Sequence, residues 1–494
     1  MLEAWITSLL GGISLLLLWR RVQSSRPSSS AKSVALVVLG DIGRSPRMLY
    51  HAQSFVEHGY TTHIVAYRGS APPKALAENP HTRFVYLPTP LGWISGLPRP
   101  LFLLCAPFKV VFGAFGLLWA LSWRIRFAPS YIFIQNPPAI PTLPVVKLAA
   151  ILRGGKVIID WHNTGYSVLA LRLGSRHPVV KLAKAIELFF GRSAYAHLCV
   201  TDAMKDQLVA EAHLKGRIAT FHDRPPSHFR RQAATEAHEL FSRLEVLHSL
   251  SFPSPSAPDP APLPSPDTTL FSSPTGLLPD RPALLVSATS WTADEDFSIL
   301  LGALELYESA ARAYAAGEGA FKHVGGEERG RLPRVVVVIT GKGEGKKAFE
   351  AEVERREKAW EWVRVRTAWL ALDDYPKLLG SADLGISLHT SSSGVDLPMK
   401  VVDMFGCGLP VVALDFACIG ELVQDGTNGR TFRTAQNLAD RLVSLLRGFP
   451  DASPSDLDVL GAGIRDAKYG GDRAQAWCSW GENWDQVVAP LVAP

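Results

Sequence analysis

Short, wholly apolar runs recur along the chain, and each leads through a turn into a helix-length stretch. The first is Val34–Leu39, VALVVL, and others come at Thr62–Tyr67, Phe84–Leu87, Tyr131–Ile134 and Lys156–Asp160. Runs that are apolar at successive positions fit strands covered on both faces. Strands alternating with helices predict a parallel, doubly wound sheet. A second series starts at Ala283–Ser287 and continues through Arg334–Thr340, Val363–Arg366, Leu384–Leu388 and Pro410–Ala413. The chain therefore reads as two such sheets, each with its own core. Its 494 residues suit two domains and a linker.

Four stretches break this pattern. Residues 4–19 carry no charge and are followed at once by Arg20 and Arg21. As a helix this run spans about 24 Å, enough for a thin bilayer. The cations on its C-terminal side place the rest of the chain in the cytosol. A cleaved signal peptide would instead put positive charge before the run, where Glu3 stands. Residues 101–121 are also apolar, but a span there would divide one sheet across a bilayer. They read as a helix lying in the membrane surface, with a buried core helix as the alternative. Residues 251–282 hold ten prolines and many serines, the composition of an exposed linker. Trp477, Trp480 and Trp484, spaced by three and four, predict one face of a last helix. The divisions expected are an anchor and tether at 1–32, domains at 33–250 and 283–470, the linker between them, and a closing segment at 471–494 that packs back on the first domain.

Apolar residues make up 47% of the chain and charged residues 20%, as in a folded α/β protein. A net charge of +5 without a dense Lys/Arg stripe argues against nucleic acid and suits a membrane surface or a phosphate-bearing substrate. The five cysteines fit neither a metal site nor a disulfide framework, so a reducing compartment is expected.

Candidate chemistry gathers at the turns after strands, where helix N-termini and bare amides receive phosphate. The first is Gly40-Asp41-Ile42-Gly43 with Arg44 and Arg47 behind it; its G-x-x-G spacing disfavours a nicotinamide cofactor. The second is Gly341-Lys342-Gly343-Glu344-Gly345-Lys346, too short for a nucleotide-triphosphate loop and suited to contacting a diphosphate. In the third, Ser391, Ser392 and Gly394 offer hydroxyls and amides at a helix entrance, with Lys400 and Asp403 three apart on that helix. A bare basic turn and a surface Lys400–Asp403 ion pair are the plainer readings of these features.

Several strings together are more specific: GDIGRSPRM at 40–48, DWHNTGYS at 160–167, HDRPP at 222–226, SATSWTADEDF at 287–297, and HTSSSGVDLPMKVVDMFGCG at 389–408. With these the chain resembles the chitobiosyldiphosphodolichol β-mannosyltransferases. Glu344-Gly345 departs from the pattern expected there. The resemblance implies a GT-B fold, that is, two Rossmann-like domains facing across a cleft, here with an N-terminal transmembrane helix. It implies GDP-mannose as donor and dolichyl-diphosphate chitobiose as acceptor, with mannose passing to O4 of the outer N-acetylglucosamine in β linkage at the endoplasmic reticulum membrane. Other mannosyltransferases of the pathway are expected neighbours. No cofactor is required, and a divalent metal would be a stimulant only.

For an inverting displacement a base is needed, and Asp41 and His162 are the candidates, with Asp160 and Asp202 behind them. The resemblance assigns the donor to Gly341, Lys346, Ser391, Ser392, Gly394, Lys400 and Asp403. It assigns the acceptor to Gly40, Gly43, Arg44, Asp160 and Asn163. The competing functions are an α-mannosyltransferase using the same donor, a silent scaffold subunit of the same fold, and a soluble nucleotide-sugar epimerase.

Overall fold

The computed structural model describes residues 32–493 apart from 90–98, 249, 253–266, 293–294, 318–330, 392–393, 452–453 and 470–474. The expected anchor at 4–19 lies outside the described residues, as does Ser392. Two compact units emerge. One comprises the chain to His222 together with Gly481–Pro494; the other runs from Asp223 to Trp480.

In the first unit a seven-stranded sheet has the order β3-β2-β1-β4-β5-β6-β7, parallel throughout. Its strands are β1 (Ser33–Asp41), β2 (Thr61–Tyr67), β3 (Thr82–Leu87), β4 (Tyr131–Asn136), β5 (Lys156–Trp161), β6 (Ser193–Cys199) and β7 (Lys215–Thr220). The helices used below are α1 (Pro46–Glu57), α2 (Arg99–Trp119), α3 (Thr142–Arg153), α4 (Gly165–Leu173), α5 (Pro178–Gly191) and α6 (Asp202–Ala212). Right-handed crossovers put α1 on one face of the sheet and α2–α6 on the other. The strand order reverses between β1 and β4, which opens a crevice at their carboxyl ends.

The second unit repeats this logic with six parallel strands in the order β12-β11-β10-β13-β14-β15. Ahead of the sheet lie α7 (Ala234–Arg243) and a small hairpin of β8 (Ser272–Ser273) and β9 (Gly276–Leu277). Then come β10 (Ala283–Ala288), α8 (Phe297–Ala315), β11 (Val335–Thr340), α9 (Lys346–Glu357), β12 (Val363–Ala368), α10 (Asp374–Ser381), β13 (Leu384–Ser387), α11 (Met399–Gly406), β14 (Val411–Leu414), β15 (Gly429–Phe432), α12 (Ala435–Leu446) and α13 (Asp456–Asp466). Its core has two layers, because successive strand residues point to opposite faces. Leu285, Val337 and Ile339 pack with Leu304 and Tyr307, whereas Leu284, Val286 and Val338 pack with Phe241 and Phe405.

Three expectations need correction. The first domain ends at His222 and not at 250, because Ala237, Leu240 and Phe241 of α7 enter the core beneath the second sheet. The expected linker is shorter than its composition implies. Phe271 is 1% exposed and packs on the ring of Phe241 at 5.0 Å, so its C-terminal part belongs to the fold. The tryptophans do not share one helix face either. The last long helix, α14 (Trp480–Val487), starts after Trp477, whose ring packs on Phe405 of the second unit at 5.8 Å. Trp484, in contrast, is fully buried in the first unit against Phe55 and His58.

The apolar stretch 101–121 forms α2 and continues into a π-turn at Ala120–Arg124. Leu117, Ala120 and Leu121 are buried, while Phe108, Val111, Phe115 and Trp119 are exposed. One side is therefore core and the other is bare, a division that neither reading of the sequence alone contained. Among the described residues no helix is long and apolar enough to cross a membrane.

Candidate active site

In the first unit the chemistry centres on Asp160, near the carboxyl end of β5 and fully buried. Arg47 of α1 grips it with both arms, Nε donating to Oδ2 at 2.9 Å and Nη2 to Oδ1 at 2.8 Å; Nη2 also donates to the Phe221 carbonyl at 3.0 Å. Burial alone would raise the pKa of this carboxyl, but Arg47 and His162 outweigh it and hold the group well below the usual range. Nε2 of His162 lies 2.6 Å from Oδ2. A carboxylate there fixes the imidazole proton on Nε2 and leaves Nδ1 as the basic atom. The His162 ring is partly exposed.

His51 forms the inner wall of this cluster. Trp484 Nε1 donates to its Nδ1 at 3.2 Å, so its own proton sits on Nε2, 3.4 Å from Asp160. Complete burial lowers its pKa to about 4, which keeps it neutral. One ionised carboxylate is thus held among a cation and two imidazoles of opposite exposure.

Asp41 has a different task. Its Oδ1 accepts from the Gly43 amide at 3.0 Å, and its Oδ2 accepts from the Ser70 amide and hydroxyl, both at 2.8 Å. These bonds, the Ser70 amide first among them, lower its pKa. A carboxylate so engaged joins the turn after β1 to the turn after β2 and is a weak proton acceptor. Gly43 is needed for the same junction, since a Cβ there would lie 2.7 Å from the Ser70 carbonyl oxygen. Gly40 continues β1 into this turn. Arg44 stays on the surface, 3.6 Å from Asp41.

Asn163 also serves its own loop. Its Oδ1 accepts from the Thr164 amide at 2.8 Å and from the Ser167 hydroxyl at 3.2 Å at the start of α4. Asp202 opens α6 and accepts from Lys205 at 2.5 Å. Sequence reasoning overlooked Glu187, a buried carboxyl that accepts from Asn136 at 2.7 Å and from the amides of Gly165 and Tyr166 at 2.9 and 3.0 Å. It holds the loop containing His162 against β4.

In the second unit the site lies where β10, β11 and β13 end. Lys400 of α11 does not pair with Asp403. Its Nζ reaches Glu295 Oε1 at 2.5 Å, and the Glu295 side chain is nearly wholly buried. Glu295 also accepts from the Thr289 hydroxyl and from the Ser290 amide. An ammonium has three donors, so this pairing leaves two for an anion. Asp403 instead faces Tyr375, whose hydroxyl lies 3.5 Å away, and burial pushes its pKa up to about 8. It is therefore mostly protonated at neutral pH.

Gly341 sits at φ +147°, where a Cβ would come within 1.8 Å of the Thr289 carbonyl oxygen. The loops after β10 and β11 consequently lie backbone against backbone. Lys346 begins α9 and stands 3.5 Å from Glu350. The Ser391 hydroxyl binds Asp396, another carboxylate missed from sequence, and Gly394 takes φ +78° in the turn before α11. Glu295 and Asp396 lie within recognisable strings, but one acid among several neighbouring polar residues gave no signal of its own.

Residues 43–223 match the family described as glycosyl transferase 4-like domain, and residues 320–448 match glycosyl transferases group 1. Chitobiosyldiphosphodolichol beta-mannosyltransferase of Pongo abelii is 43% identical, over 98% of this chain and 96% of its own length. That of Homo sapiens is 42% identical with the same coverage. The chain belongs to the chitobiosyldiphosphodolichol β-mannosyltransferase family. Another relative of this family member, UDP-glycosyltransferase TURAN of Arabidopsis thaliana, is 40% identical over 92% of this chain and 96% of its own. Solved structures agree on the fold: sucrose-phosphate synthase of Thermosynechococcus elongatus has a TM-score of 0.58 at 12% identity, covering 92% of this chain and 97% of that one. Anabaena HepE has a TM-score of 0.56 at 14% identity, covering 94% and 100%. This β-mannosyltransferase family member is a GT-B glycosyltransferase, with two Rossmann-like parallel sheets.

Proposed function

We propose that the chain transfers mannose from GDP-mannose to O4 of the outer N-acetylglucosamine of dolichyl-diphosphate chitobiose, forming a β-1,4 linkage. The family supplies the reaction class. The observation that carries the chemistry is the Asp160–His162 pair, 2.6 Å apart with Arg47 behind it.

In this reading Nδ1 of His162 accepts the proton of the acceptor hydroxyl as its oxygen bonds to the mannosyl anomeric carbon. The bond from that carbon to the diphosphate breaks in the same displacement, GDP departs, and the configuration inverts. Asp160 stabilises the imidazolium that results. Lys400, the amides around Gly394 and the entrance of α11 meet the growing charge on the leaving diphosphate. Lys346 and Gly341 offer a cation and a bare backbone to the same group. The apolar run at 4–19 anchors the chain in the endoplasmic reticulum membrane with its catalytic domains in the cytosol, beside other mannosyltransferases of the pathway. Neither a cofactor nor a metal ligand set is needed for this step.

The test is direct. The purified full chain in detergent is given GDP-mannose and a dolichyl- or phytanyl-diphosphate chitobiose, with UDP-sugars as competing donors because one relative carries a UDP-glycosyltransferase name. A single added hexose, released by β-mannosidase, supports the reading. An α-mannosidase-sensitive product, a UDP-sugar donor, or no product overturns it.

A further inference from the structure

Helices α2, α3, α4 and α5 form a continuous layer over one face of the first sheet, with α2 on α3, α3 on α5, and α4 on α5. Each exposes large apolar side chains on its outer side. Ile151 is 80% exposed, Phe189 72% and Phe115 70%, and Trp119, Leu171 and Leu182 add to them. Soluble domains rarely leave so wide an apolar area bare.

The exposed charges on these four helices and the turns that join them all have one sign. Between Arg99 and Arg192 the sequence holds only two acidic residues, Asp160 and Glu187, and both are buried. Arg124, Arg126, Arg172 and Lys181 are exposed on the same helices and their turns. Glu211 of the adjoining α6 is exposed but paired with Lys184 of α5 at 2.7 Å. Bare aromatic and aliphatic side chains rimmed chiefly by cations complement an anionic bilayer surface. A second copy of the chain would bring cations against cations.

Continuity with the N-terminus adds a second argument. The Ser130 amide donates to the Ser33 carbonyl at 3.0 Å, so the start of β1 adjoins the segment that exposes Trp123 and Phe127. The apolar run at 4–19 precedes Ser33 by a short tether, so an inserted run would hold this side of the unit near the bilayer.

We infer that the α2–α5 face docks flat on an anionic phospholipid bilayer, with Phe115, Ile151, Leu182 and Phe189 in the acyl region and the arginines at the headgroups. This rests on the proposed function in one respect: a lipid-linked acceptor must be met at a membrane. Docking of this face brings the acceptor's headgroup to the first unit without withdrawing its lipid from the bilayer.

The test uses the full chain in vesicles of phosphatidylcholine, with or without phosphatidylserine. An environment-sensitive label is placed at Ile151→Cys, at Phe189→Cys, and at Val459→Cys on α13 as an exposed control. The unsubstituted labelled chain corrects for native cysteines. Brominated acyl chains should quench the first two labels at least about twofold more than the third. Aqueous iodide should show the reverse order. The paired reversal Arg172→Glu with Lys181→Glu should reduce acyl quenching in the vesicles containing phosphatidylserine. Equal iodide access at all three positions overturns the inference. So does protection of residues 151 and 189 in detergent through contact between chains, read as energy transfer between labelled copies. Mannosyl transfer is measured on the same vesicles. Product without acyl quenching removes the docking face alone, whereas acyl quenching without product removes only the enzymatic reading.

Discussion

Lys400 reaches across 105 residues to Glu295, at 2.5 Å, and not along its own helix to Asp403. Lys400→Ala therefore has two consequences, since it removes a cation from the proposed donor site and strands a buried carboxylate. We expect turnover to fall strongly and the unfolding free energy to fall with it, by the several kcal/mol that a broken buried pair costs (about 3–5), read as a lower Tm. Adding Glu295→Gln should recover Tm without recovering turnover. Lys400→Arg should rescue both in part, because a planar fork replaces a compact ammonium. Turnover that returns with Tm in the double variant would show that Lys400 acts on stability alone.

His162→Ala should lower turnover on the order of a hundredfold or more with donor affinity kept. Asp41→Asn should cost less than about tenfold, because its carboxylate binds a turn and leaves the proton to another group. Steady-state kinetics with both substrates varied separate the two. A larger loss in Asp41→Asn, donor affinity being unchanged, would reverse the assignment.

Much of this was legible beforehand, for a physical reason. Strands covered on both faces, such as VALVVL and RVVVVIT, announce themselves by unbroken apolar runs, so the two sheets could be read from the chain. Ser193–Cys199 and Lys215–Thr220 could not, because the first places His197 mid-strand and the second is a polar edge strand. The site was legible as strings and not as contacts. Asp160 and His162 are two residues apart, but Arg47 comes from 113 residues away. Asp41 looked like a free carboxylate because nothing in its own turn reveals Ser70.

Excision of residues 253–266 should change stability by less than about 1 kcal/mol, since loop closure depends weakly on length. Phe271→Ala, a few residues beyond, should cost about 3–5 kcal/mol because it empties a site in the core. Denaturant unfolding of both variants checks the contrast. A cost for the deletion comparable to that of the point substitution would extend the fold through the proline-rich segment.

Acid should weaken the first unit well above the range of its carboxylates. Burial lowers both His51 and His197 to about 4, so between pH 6.5 and 4 the unfolded chain binds two protons that the native state refuses. Stability then falls as pH falls through that window, by up to about 1.4 kcal/mol per pH unit for each histidine. His51→Gln should flatten the slope in a Tm-against-pH series; an unchanged slope would show that His51 is not the group responsible.

The burial of Trp484 among Phe55, His51 and His58 also sets an order of events during synthesis. N-terminal domains generally fold as the chain emerges. Here the first unit leaves the ribosome with a tryptophan-sized hole in its wall, and the residue that fills it is made only after the whole of the second unit. A message cut short after codon 480 would encode every strand of both sheets and still leave the older half unsealed.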